Sequence, residues 1–135
     1  MYRSDRILRQ FFFGNNPDSL FIRFELVKWE DVTIHIDFHG SHPASLEFSP
    51  KPDAGCGAYR FQIAGGKLEE IPRLASSEVA ELAVPLKKLG IDGESLVRFQ
   101  VKVLQGGLER ECYPERVPIE FHLTRKEYAL EHWMV

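Results

Sequence analysis

Little is concentrated in this sequence. Only two cysteines, Cys56 and Cys112, occur in 135 residues, too few for the disulfide framework that staples small secreted domains. They could pair only if folding brings them together, and two free thiols in a reducing, cytoplasmic setting are the expectation. No apolar run approaches the ~20 residues of a membrane-spanning helix, so no membrane partner is expected. The opening Met1-Tyr2-Arg3-Ser4-Asp5-Arg6 is charged and leads into no apolar core with a small-residue cleavage site, so no signal peptide is expected. A basic excess is missing too: 17 Lys and Arg stand against 20 Asp and Glu, a net charge of −3. Without surplus positive charge to neutralise phosphates, nucleic acid is not an expected partner. Helical periodicity beyond about two turns is absent. Parallel α/β folds need crossover helices, so they are excluded. Gly65-Gly66 and Gly106-Gly107 open no helix and read as turn glycines, not as a phosphate cradle. Ser76-Ser77 is a loop pair with no nucleophile-elbow context.

What is present is alternation. Val32, Ile34, Ile36 and Phe38 form one face of a strand, and Thr33, His35, Asp37 and His39 the other. Leu20, Ile22, Phe24 and Leu26 alternate with Arg23 and Glu25. That strand follows Ile7–Phe13 through the turn Gly14-Asn15-Asn16-Pro17-Asp18, as a hairpin. Leu46 and Phe48 mark a short strand, and Tyr59, Phe61 and Ile63 alternate in the next. Val79–Val84 reads as a strand stopped by Pro85, which has no N–H for a ladder. Lys87-Lys88-Leu89 has room for one helical turn closed by Gly90. Val97, Phe99, Val101 and Val103 then point one way, and Arg98, Gln100 and Lys102 the other. Leu108–Tyr113 returns beside them, limited by Pro114, and Val117, Ile119, Phe121 and Leu123 alternate last. Lys67–Ser77 is ambiguous, with room for a short strand around Leu68–Ile71; the tail 124–135 carries Leu130, Trp133 and Met134 and is expected to dock. With about nine strands and turn signals every 8–12 residues, the pattern predicts one all-β domain over 1–135. The expected form is an antiparallel two-sheet β-sandwich, immunoglobulin- or DOMON-like.

Few residues stand out for chemistry. His35, Asp37 and His39 share a strand face, with His42 past the turn, and imidazole and carboxylate at that spacing can converge on a divalent metal. The alternative is a solvated strand face, because such neighbours sit roughly 7 Å apart. A stand-alone metal- or haem-binding domain built on His35, His39 and His42 is therefore the rival to an accessory module. Asp92-Gly93-Glu94 and Asn15-Asn16-Pro17-Asp18 have the oxygen-rich composition calcium favours, without matching an EF-hand; ordinary turn chemistry explains them too. No other cofactor is implied. Trp29, Tyr59 and Tyr113 are amphipathic aromatics that stack on sugar rings if exposed and are core if buried. Trp29, in the polar connection Val27-Lys28-Trp29-Glu30-Asp31, is the one expected at the surface. Trp133 is expected to anchor the tail. Of the strand-borne acids, Glu25 and Asp37 are those to weigh as a glycosidase pair, which needs carboxyls roughly 5–10 Å apart across a cleft.

Three stretches carry a family resemblance. Ile7–Phe24 is an apolar strand, a Gly-polar turn, then Leu20-Phe21-Ile22-Arg23-Phe24; it resembles the C-terminal β-sandwich domain of glycoside hydrolase family 57 proteins. Glu81–Ile91, with Val84-Pro85 followed by Leu89-Gly90, is similar to a turn shared by that domain, family 9 carbohydrate-binding modules and DOMON-like sandwiches. Glu109–Pro114 followed by Val117–Phe121 resembles the same domain's late hairpin. The resemblance spans most of the chain, and its motifs are structural. In those enzymes the catalytic carboxylates lie in a separate N-terminal barrel. The resemblance therefore implies a non-catalytic accessory domain, structural or carbohydrate-binding, whose partners are a family 57 catalytic domain and an α-glucan. Family 9 modules hold sugars between tryptophans and can bind calcium, but those positions find no residue-by-residue match here.

Overall fold

The computed structural model describes residues 6–91, 96–123 and 129–134. Eleven antiparallel strands form one ladder: β1 (Leu8–Asn15), β2 (Ser19–Leu26), β3 (Val32–His39), β4 (Ala44–Phe48), β5 (Gly55–Ile63), β6 (Glu69–Ser76), β7 (Ala80–Pro85), β8 (Leu96–Gln105), β9 (Leu108–Tyr113), β10 (Ile119–His122) and β11 (Ala129–Met134). The order is β10-β8-β3-β4-β5-β6-β7-β2-β1-β11, with β9 also on β8. The antiparallel all-β expectation holds. The strands form one continuous, nearly closed, barrel-like sheet rather than two separately bonded sheets. The two strands beyond the nine expected are β6, in the ambiguous stretch, and β11, the tail strand, which pairs with β1 from Gln10↔Met134 to Asn15↔Ala129.

Alternation does most of the folding. Every second residue of β3, from Val32 to Phe38, is buried, as are Val97, Phe99, Val101 and Val103 of β8. Register aligns Ile34 with Val103 and Ile36 with Val101 on the inner face. Seven phenylalanines join the walls across the interior. Phe24 meets Phe48 at 5.7 Å and Phe11 at 6.0 Å, and Phe13 meets Phe99 at 5.3 Å and Phe121 at 5.1 Å, edge to face. Phe11 touches Phe13, and Phe38 touches Phe99. Strands that are never ladder neighbours, such as β2 and β4, are thereby held together. The expected turn after Pro85 is a 3₁₀ turn over Leu86–Leu89. It is capped by Gly90 in the left-handed region at φ 67°, where a side chain would also meet the His42 ring.

Two irregularities matter later. First, β9 and β10 share one edge of β8 end to end: Tyr113 pairs with Val101 and Ile119 with Phe99, so residues 114–118 stand opposite Gln100 alone. The Gln100 side chain fills that gap, donating from Nε2 to the Pro114 carbonyl at 2.8 Å. Second, β6 carries Pro72 and Arg73 opposite the single residue Ala58 of β5. This bulge turns β6 away from β7, and their pairing is limited to Leu74–Ser76 against Leu82–Ala80.

The seam is closed by a side chain. The described part of β11 ends opposite Gln10, so on the side away from β2 the N–H groups of Ile7 and Leu8 meet no described strand. The Glu111 carboxylate of β9, 4% exposed, accepts both, at 2.6 Å and 3.0 Å, and the Tyr113 hydroxyl at 2.9 Å. Replacing Glu111 by Ala leaves two buried N–H donors without acceptors. It is expected to lower unfolding stability in urea by about 3 kcal/mol, whereas Glu109→Ala, on the exposed side of the same strand, changes it by less than about 0.5 kcal/mol. Equal effects of the two substitutions would contradict this account of the seam.

Candidate functional site

The outer faces of β8, β3, β4 and β5 carry a lateral row of polar side chains. Register places Cys112, Lys102, His35, Glu47, Arg60 and Glu70 side by side across six strands. Asp37 lies one pair further along β3. Its Oδ2 is 2.9 Å from Lys102 Nζ and its Oδ1 is 2.9 Å from His35 Nε2. His35 Nδ1 faces Glu47 Oε2 at 3.8 Å, and Arg60 donates to Glu47 Oε1 at 2.8 Å. Burial alone would raise the Asp37 carboxyl. The hydrogen bonds from Lys102 and His35 outweigh that and hold it below its ordinary value of 3.8. The bond to Asp37 likewise pushes Lys102 above 10.5.

This arrangement engages His35 and Asp37, two residues of the metal reading, with other side chains. Both His35 nitrogens face carboxylates, and Asp37 is engaged by Lys102 and His35. His39 and His42 line a polar cleft of about 320 Å³ with Arg98, His42 packs against Gly90, and His39 also borders a cleft with Asp37. Among the described residues no group of three or more His, Cys, Asp or Glu is placed to hold a metal ion. Asp92-Gly93-Glu94 lies outside the described residues. In the turn at Asn15–Asp18, Asn16 Oδ1 accepts the N–H groups of Asp18 and Ser19, which is ordinary turn chemistry. Glu25 and Asp37 are five strand steps apart in the ladder, and Glu25 is bonded to Gln10. The two do not face each other across a cleft.

The aromatics separate cleanly. Tyr59 is 1% exposed and donates its hydroxyl to the Ala83 carbonyl at 2.7 Å; burial pushes its phenol well up, only partly offset by Arg73. It is core, not a platform. Tyr113 is half-buried and serves Glu111. Trp29 is half-buried, packs on the core and lines an open cleft of about 660 Å³; Tyr113 also packs on the core, beside a smaller cleft of about 290 Å³. The Trp29 cleft sits where three connections meet at one end of the barrel, between β2 and β3, β4 and β5, and β8 and β9. Asp31, at φ 55°, turns the chain there, and its carbonyl accepts the Gly106 N–H at 3.0 Å. Gln105 donates to the Glu30 carbonyl at 3.2 Å, and the hydroxyls of Thr33 and Ser49 lie 3.3 Å apart. The cleft thus offers one aromatic face, the side chains of Glu30, Asp31 and Lys51, and two hydroxyls. Cys56 is exposed on β5 and Cys112 half-buried on β9; both thiols are free. No helix among the described residues is long and apolar enough to cross a membrane.

No family model, curated protein or solved structure matches the chain.

The charged row generates a pH prediction. Asp37 titrates lower in the folded than in the unfolded chain, so its contribution is present above about pH 4 and is lost as pH falls through the lowered value. Lys102 titrates higher when folded, so its contribution is complete below 10.5 and is lost as pH rises through the raised value. A double-mutant cycle of Asp37→Asn and Lys102→Met is expected to give a coupling of about 0.5 kcal/mol at pH 7, discounted for partial exposure. The coupling should fall away as pH drops through the lowered Asp37 value; a value that is constant with pH would show that the two side chains are not ion-paired.

Proposed function

We propose that the chain is a non-catalytic accessory module that binds carbohydrate at the Trp29 cleft. The observation that carries this reading is the position of Trp29. Its ring is braced by the core and borders an open cleft that also holds Glu30, Asp31, Thr33, Ser49 and Lys51 beside the apolar Val32, Pro50 and Pro52. A braced aromatic face suits the apolar C–H face of a sugar, and the surrounding oxygens suit its hydroxyls. The resemblance of Ile7–Phe24, Glu81–Ile91 and Glu109–Phe121 to family 57 accessory domains supports an α-glucan as the ligand and a family 57 catalytic domain as the partner. Two free thiols support a cytoplasmic setting. No metal enters the proposed binding.

Calorimetric titration with malto-oligosaccharides tests this. Binding is expected for the intact chain, unchanged by chelator, and weakened about tenfold or more by Trp29→Ala, in keeping with about 1.4 kcal/mol for a stacked aromatic. Absence of heat at millimolar sugar, or binding that survives Trp29→Ala unchanged, defeats the reading.

A further inference from the structure

The bulge at Pro72-Arg73 has opened the sheet. β6 keeps company with β7 only up to Leu74↔Leu82, while β7 runs on beside β2 to Pro85. A wedge therefore forms on the outer face between Ala83 and Arg73. From inside, Tyr59 closes its base through the hydrogen bond to the Ala83 carbonyl. From outside, the wedge is a cavity of about 440 Å³, within the range of small-molecule sites. Its floor is low because Ala75 and Ala83 are small, and Phe21 and Leu74 stand beside them as apolar walls.

Two arginines flank this apolar floor. Arg73 donates to Ser19 Oγ at 3.1 Å and has no carboxylate in ion-pair range among the described residues. Arg23 lies over the Phe12 ring at 4.4 Å, with its Nε buried and donating to nothing. Its nearest acid, Glu25, is at 3.9 Å and already accepts from Gln10 at 2.6 Å. Glu81 is the one acid of the lining, so the site is net positive on a chain of net charge −3.

We infer that this wedge binds a small amphipathic monocarboxylate, its carboxylate paired with Arg73 and its apolar body lying over Ala75 and Ala83, with Arg23 adding positive charge from over the Phe12 ring. The guanidinium fork matches a carboxylate, and Arg73 has no such partner among the described residues. An apolar body covers Phe21 and Leu74 and needs no hydrogen bonds from the floor. The site lies on strands other than those that form the Trp29 cleft and does not depend on sugar binding there.

Cys56 lines the same wedge and is exposed, which provides a direct readout. Alkylation of the intact protein by iodoacetamide is followed by mass spectrometry, with decanoate as probe, decanol as neutral control and Cys112 as internal reference. At ten times its Kd, decanoate is expected to slow Cys56 alkylation about tenfold, with Cys112 unaffected. Decanol should protect at least tenfold less well. Protection should be lost in Arg73→Gln and in Ala83→Leu, which fills the floor, and kept in Trp29→Ala. Arg73 is exposed, so its variant decides the matter if Ala83→Leu does not fold. An unchanged Cys56 rate in saturating decanoate, equal protection by decanol, or protection that persists in Arg73→Gln overturns the inference.

Discussion

Among the described residues, one carboxylate makes the hydrogen bonds that link the two ends of the ladder, over the packing of Phe13 on Phe99 and Phe121. Every other junction in the sheet is a run of backbone hydrogen bonds, but at the seam the N–H groups of Ile7 and Leu8 face β9 with no described strand between. Glu111 stands in for that strand. Its inward direction follows from the bulge in β9, where Val103 pairs with Glu111 and Leu104 with Glu109, leaving Arg110 as the extra residue. Tyr113 supplies a third donor to the same carboxylate. With the seam shut, the phenylalanine chain is enclosed on all sides; without it, β1 and β9 would expose Leu8 and the inner face of β8 to water.

The same logic of bulge and plug recurs. At the β9–β10 break Gln100 fills the gap, and at the β6–β7 fork Tyr59 supplies the donor for Ala83. At each of these three places one long polar side chain replaces a missing backbone partner. The inner surface is thereby kept satisfied while the outer surface is free to vary. Trp29 and the Arg73 wedge both sit where the ladder is broken or ends, because regular strand faces are too flat to enclose anything.

The regular strands were legible in advance. The alternation in β3 and β8 predicted their buried faces residue by residue, and Pro85 with Gly90 predicted the 3₁₀ turn. Illegible were the places where alternation fails. β6 reads poorly because Pro72 interrupts it and only Ile71 and Ser76 are buried. Glu111 reads as a surface acid because its partners lie 103 and 104 positions away in the chain. Tyr59 looked like a possible platform, since nothing local shows that its hydroxyl meets Ala83. For the polar row, the even spacing of His35 and Asp37 was visible, but Lys102, Glu47 and Arg60 enter only through register across strands. That register turns an apparent ligand set into an ion-pair network.

The break between β9 and β10 has a consequence for how this fold can change. On either side of residues 114–118 the pairing with β8 is fixed separately, by Leu108–Tyr113 and by Ile119–His122. Lengthening that segment shifts no register, since neither half of the edge is aligned through it. An inserted peptide would emerge from the side of the barrel, leaving the aromatic interior and the Trp29 end untouched. Where other connections tie two strands to each other, this one merely spans a gap, and it is the point at which the domain can acquire a new surface without refolding.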